Sequence, residues 1–140
     1  MYHRLVYDTI DMPQVSRRKL SAKTENNLLG NLDLVLGHLT KTEEISAFLE
    51  SLLTKTERLM VAKRLAVAIL LNENFSEAQI AEALHLTRMS VSRMRYYLES
   101  HGQGYQFALR EINKQKVFQV FKKFLIDLAA YSIRAAGRGI

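Results

Sequence analysis

Cysteine is absent from the 140-residue chain, so disulfide staples and thiolate metal sites are excluded and nothing points to a secretory history. Pro13 is the single proline, and the six glycines are scattered. No serine-rich or glutamine-rich tract marks a long flexible linker. No uninterrupted apolar run approaches the length needed to cross a bilayer, and the amino terminus lacks the apolar core of a signal peptide. A cytoplasmic location is therefore expected, with no membrane partner. Catalytic constellations are missing too. His3, His38, His85 and His101 share no metal-ligand spacing. Gly102 and Gly104 read as a helix end and not as a phosphate loop. Serine, histidine and acidic residues all occur, but nothing organises them as a triad. Glu43, Glu44 and Glu57 are accounted for by helix starts, where acidic side chains meet the positive end of the helix dipole. No enzyme is expected, and no metal or cofactor.

Hydrophobic residues make up 48% of the chain and charged residues 24%, the balance of a folded domain. The length suits one domain with a core of its own. The net charge of +6 and the pI near 9.7 favour polyanionic partners through phosphate contact and counterion release.

The most informative stretch is Phe75 to Ser100, FSEAQIAEALHLTRMSVSRMRYYLES. Ser76 and Gln79 have capping-box spacing, flanked by Phe75 and Ile80 at staple spacing. Ile80, Ala81 and Leu84 then form a short apolar face, and the small Ala81 lets a second helix cross nearby. This predicts a first helix of about two turns. Thr87 caps a second helix whose inward residues are Val91, Met94 and Leu98, with Tyr97 beside them. Its outward residues are Arg88, Met89, Ser92, Arg93, Arg95 and Tyr96. His85 stands in the connection where glycine is common, so a non-glycine residue must take up a strained backbone. The pair reads as a helix-turn-helix whose second helix suits the major groove of duplex DNA, since arginines and hydroxyls on an exposed helix face bond phosphates and base edges. Short helix pairs of this form also serve as protein-binding modules.

Around this stretch the chain divides into an N-terminal arm over 1–23, a helical domain over 24–100 with its reading head at 75–100, a C-terminal helical extension over 101–136, and a tail over 137–140. In the arm, Leu5, Val6, Tyr7 and Ile10 suit a short strand or docked segment. The basic run Arg17, Arg18 and Lys19 suits either solvent or a minor groove. Residues 24–39 place Leu28, Leu29, Leu32, Val35, Leu36 and Leu39 on one broad helical face. Two similar phrases follow, Thr40-Lys41-Thr42-Glu43 and Thr54-Lys55-Thr56-Glu57, each with capping-box spacing and each expected to begin a helix. The first buries Ile45, Phe48, Leu49 and Leu52. The second, running to about Asn72, buries Leu59, Met60, Leu65, Ala66, Ile69 and Leu70. Gly102 suits a left-handed helix end. From Tyr105 to about Arg134 one helical segment presents Phe107, Ile112, Val117, Val120, Phe121, Phe124, Leu125 and Leu128 over a wide face, suited to a subunit interface or to the domain's own core. Gly137 to Ile140 are expected to fray.

Four motifs, LLTKTER at Leu52 to Arg58, the pair Lys63-Arg64, FSEAQIAEALHL at Phe75 to Leu86 and SVSR at Ser90 to Arg93, give the chain its family likeness. Over about residues 24–100 it resembles the Trp repressor superfamily. The resemblance implies an all-α, intertwined helical homodimer whose amino-terminal helices wrap the partner, with paired reading heads on a palindromic operator. It also implies a pocket in which Arg64 and Arg93 match the two arginines that hold tryptophan and Thr54 matches a threonine framing the site. Met94 stands where a glycine follows the SVSR-like segment in the repressor, and its inward side chain would occupy space that an indole needs. No tryptophan response is expected.

The expectation is thus a duplex-DNA-binding transcription regulator, a repressor by resemblance. Arg88, Met89 and Ser92 face bases, Ser90, Arg93 and Arg95 hold or position against phosphates, and Gln79 bonds the backbone near the first helix. The rival is a protein-interaction module using the helix-turn-helix and the C-terminal apolar face; RNA binding is a lesser option.

Overall fold

The computed structural model describes residues 18–138, so the apolar and basic features expected over 1–17 lie outside the described residues. Every regular element among the described residues is a helix: α1 Ala22–His38, α2 Thr42–Leu52, α3 Lys55–Asn72, α4 Glu77–Leu84, α5 Arg88–His101, α6 Gln103–Lys114 and α7 Lys116–Arg138. The all-α class is as expected. The chain divides into two units, one ending at Met60 and the other beginning at Val61, with α3 running through the division.

In the first unit, Ser21 caps α1 by accepting the Thr24 amide at 3.2 Å, a start that the sequence pattern placed two residues later. The leucine face of α1 is present, yet no residue of α1 or α2 is buried. Leu28 is 58% exposed. On α2, Ile45, Phe48 and Leu49 are half-buried while Leu52 is exposed, so the expected burial of this face is only partial. The Thr40-to-Glu43 capping box does not form. Lys41 is the N-cap, in extended backbone, and it makes no side-chain cap bond. Starting at Thr42 puts Glu43 and Glu44 in the first turn, where their charge meets the helix dipole without help from Thr40. The second phrase forms as expected: the Thr54 amide donates to Glu57 Oε2 at 2.7 Å, and the Glu57 amide donates to Thr54 Oγ1 at 3.2 Å. Arg58 reaches Ser46 Oγ at 3.1 Å and ties the start of α3 to α2.

The second unit holds the core. Residues Ala66 to Leu70 of α3 are buried in succession, which means that this end of the helix is surrounded. Around it lie Ile80, Ala81, Ala83 and Leu84 of α4, Val91 of α5, Leu109 and Ile112 of α6, and Leu125 and Ala129 of α7. Leu59 and Met60, expected inside, are exposed. The apolar period of α3 therefore extends past its buried stretch.

The C-terminal segment departs from the single helix expected from Tyr105 onward. It breaks at Gln115, where the backbone is extended, into α6 and α7. Gln119 stabilises the break, its carboxamide donating to the carbonyls of Ile112 and Asn113, in the last turn of α6, at 3.2 Å each. Helix α7 then packs on α4 and α6. Lys122 anchors it to Glu73, just past the end of α3, at 2.5 Å. Gly137 and Arg138, expected in the tail, continue α7. Gly102 has φ −79°, so it is not left-handed as expected. Crowding explains the glycine: a Cβ there would lie 2.0 Å from the Leu98 carbonyl oxygen.

Candidate nucleic-acid interface

The helix-turn-helix is assembled from local signals. At the start of α4 the capping box is complete, with the Ser76 amide donating to Gln79 Oε1 at 2.9 Å and the Gln79 amide donating to Ser76 Oγ at 3.2 Å. Only the oxygen of the Gln79 carboxamide is used there, so its NH2 can still serve an outside acceptor. Helix α4 is eight residues long, the two turns expected. His85 ends it in the left-handed conformation, φ 53° and ψ 50°. The Leu86 amide returns to the Ala81 carbonyl at 2.9 Å, closing the turn in a Schellman-like arrangement. Thr87 then caps α5, accepting the Ser90 amide at 3.1 Å and donating to Ser90 Oγ at 2.9 Å.

Val91 is fully buried and Met94 packs on the core, as the inward period predicts. Tyr97 differs: it is 62% exposed and stacks on His101 with ring centroids 4.7 Å apart. Arg88, Met89, Arg93 and Tyr96 are exposed, and Ser90 and Ser92 are partly covered. Arg93 Nη2 lies 3.5 Å from Met89 Sδ, so two members of the outward face touch. No acidic residue occupies the first turn of α5. Its positive dipole end and Arg88 thus meet no acidic side chain within that turn, a condition that favours an anion.

Arg95 is exposed but not idle. Its Nε lies 2.9 Å from Glu77 Oε1 on α4 and 3.8 Å from Glu99 on its own helix. The pair with Glu77 links the two helices of the motif. Sequence reasoning missed Glu77 because the pairing depends on how α4 and α5 cross.

Arg64 and Arg93 are brought together with Met94, Tyr97, Leu98 and Tyr105 around one cavity of about 380 Å³. Met94 forms part of the wall and leaves the cavity open. Tyr97 and Tyr105 were not anticipated here, since neither stands in a motif that marks the site. Thr54 is not among these lining residues; its hydroxyl caps α3.

A family model described as Trp repressor protein matches residues 29–113. The chain belongs to the Trp repressor family. The matched span runs from within α1 to within α6 and contains every residue of the candidate interface and cavity. Helix α7 lies beyond it. No curated protein and no solved structure matches the chain significantly. Membership makes this an all-α chain from a family of helix-turn-helix DNA-binding regulators, not a family of enzymes. No helix among the described residues is long and apolar enough to cross a membrane.

Proposed function

We propose that the protein is a cytoplasmic transcription regulator, a repressor, that binds duplex DNA sequence-specifically as a homodimer. The observation that carries the reading is the outward face of α5, where Arg88, Met89, Arg93 and Tyr96 stand exposed at a capped helix start with no acid in its first turn. In this reading α5 enters the major groove. Arg88, Met89 and Ser92 face base edges; Ser90, Arg93 and Arg95 hold or position against phosphates; the free NH2 of Gln79 bonds the backbone near α4. A homodimer fits the leucine face of α1 and the exposed Leu59 and Met60 of α3. Such apolar surface suits a contact with another subunit. Two reading heads then require half-sites about one helical turn apart.

The cavity bounded by Arg64 and Arg93 does not serve tryptophan in this reading, because Met94, where the repressor has a glycine, forms a wall of the space that an indole would need. Its two tyrosines and two guanidinium groups suit another anion.

Duplex affinity measured across a salt series tests the proposal. A reader that neutralises phosphates loses affinity linearly in log salt, by about 0.9 log units per contacted phosphate and log unit of salt. Arg93→Ala should flatten that slope by about one contact per subunit. Weak binding without salt dependence would reject it, and salt-insensitive capture of a protein would favour an interaction module instead.

A further inference from the structure

Helix α7 presents two faces. The inner one, with Leu125 and Ala129, belongs to the core. On the outer one, Val120, Phe124 and Tyr131 are exposed, Phe124 at 59%. At 100° per residue these three fall within about 40° of one another around the helix axis, a narrow apolar ridge. Lys116, Lys123 and Arg134 border it on one side, where Asp127 also lies and pairs with Lys123 at 2.7 Å. Helix α7 as a whole carries Lys116, Lys122, Lys123, Arg134 and Arg138 against Asp127, a net charge of +4. An apolar ridge with a basic rim calls for an apolar partner with an acidic one.

The same chain contains such a surface. Helices α1 and α2 and the residues joining them carry Glu25, Asp33, Glu43, Glu44 and Glu50 against Lys23 and Lys41, a net charge of −3. Their leucine-rich faces contain no buried residue. Two α7 ridges facing each other would bring like charge together and place Asp127 near its own copy, so self-pairing of α7 is disfavoured.

We propose that the α7 ridge docks on α1 and α2 of a second copy of the chain. The contact is reciprocal, each subunit giving its acidic leucine helices to the other's basic ridge, as a two-fold dimer requires. It rests on the homodimer reading and deepens it, since α7 lies outside the span that matches the family. The ridge becomes part of the surface that the amino-terminal helices of the partner cover.

Absence of cysteine makes the test direct. Leu32→Cys and Phe124→Cys are made as separate full-length proteins, checked for native helix content, mixed, unfolded and refolded together, and oxidised. A disulfide-linked dimer abundant in the mixture and scarce in either protein alone is the expected result. Val35→Cys with Val120→Cys repeats it with a second pair. Charge reversal of Lys116, Lys123 and Arg134 to glutamate in the Phe124→Cys partner should lower the yield several-fold, and reversal of Glu43, Glu44 and Glu50 to lysine in the other should restore it. Sedimentation reports the dimer independently. A dimer whose crosslinks are only Leu32 to Leu32 or Phe124 to Phe124, or which gives none with either pair, overturns the α7 contact and leaves the homodimer standing. A monomer overturns both.

Discussion

Arg95 Nε lies 2.9 Å from Glu77 Oε1, and this contact joins the second helix of the helix-turn-helix to the first turn of its neighbour. The approach is that of an ion pair more than a well-aligned hydrogen bond, because Glu77 Oε1 is buried and meets no donor in good hydrogen-bond geometry. Arg95 therefore has two tasks in the proposed function. It braces α5 against α4, and its remaining N–H groups are positioned for phosphate.

Replacing Arg95 by alanine should cost at most about 1 kcal/mol of stability, because the pair is half-exposed on the arginine side and water screens it. Chemical denaturation measures that cost. Duplex affinity should fall on specific and unrelated sequences by a similar factor, the mark of a phosphate contact. A change in sequence preference would instead make Arg95 a base reader.

His85 stores strain at a known place. A non-glycine residue in the left-handed region costs on the order of 1–2 kcal/mol, part of which glycine recovers at the expense of a freer unfolded chain. With φ 53° observed, His85→Gly should be neutral or stabilising by about 1 kcal/mol or less, and the β-branched His85→Val should destabilise. Urea midpoints decide between these outcomes.

The cap of α3 predicts a pH effect. The Thr54 amide, and after it the Thr54 hydroxyl, hold the Glu57 carboxyl below its ordinary pKa. A carboxyl whose pKa is lowered by folding contributes stability above the unfolded value and loses it as pH falls through the folded one. Stability should thus decline on acidification below about pH 4.5, the ordinary glutamate range. Glu57→Gln, which keeps an acceptor oxygen but cannot titrate, should reduce that decline when denaturation midpoints of the two proteins are compared across the interval.

Helix α7 is integral to the support of the helix-turn-helix, since Ala129 is fully buried in the core shared with α4. Ala129→Leu should therefore cost about 1–3 kcal/mol by overpacking, whereas Val120→Ala on the outer ridge of an isolated subunit should cost far less. Thermal unfolding of the two variants, at dilution where each is monomeric, makes the comparison.

How far these features could be read from sequence follows from the distance over which each is determined. The Ser76–Gln79 and Thr54–Glu57 boxes, the Thr87 cap and the strained His85 each depend on a few neighbouring residues, and all were legible. The Thr40 box failed because its spacing was right but the helix began one residue later, with Glu43 and Glu44 serving the start. The break at Gln115 has neither proline nor glycine to announce it. Its stabilising bonds come from Gln119, a residue that suits a helix interior equally well. Leu59 and Met60 have the period of core residues, yet the period of a helix says only that a face is apolar and not whose surface covers it. Likewise the wide apolar coverage of the C-terminal segment proved to be two faces, one inside and one out, which only the packing of α7 on α4 separates. For the candidate site, the exposed set on α5 followed from a single helical period, while Glu77, Tyr97 and Tyr105 required the crossing of helices.

Selection from a random duplex pool tests the central claim most directly, using the full chain beside Arg88→Ala. An enriched palindrome with half-sites about one helical turn apart is the expected result. Arg88→Ala should relax preference at one position of each half-site, at a cost of about 1–3 kcal/mol on the preferred sequence. Failure to enrich any sequence, or an enriched motif that Arg88→Ala leaves unchanged, would contradict a sequence reader built on α5.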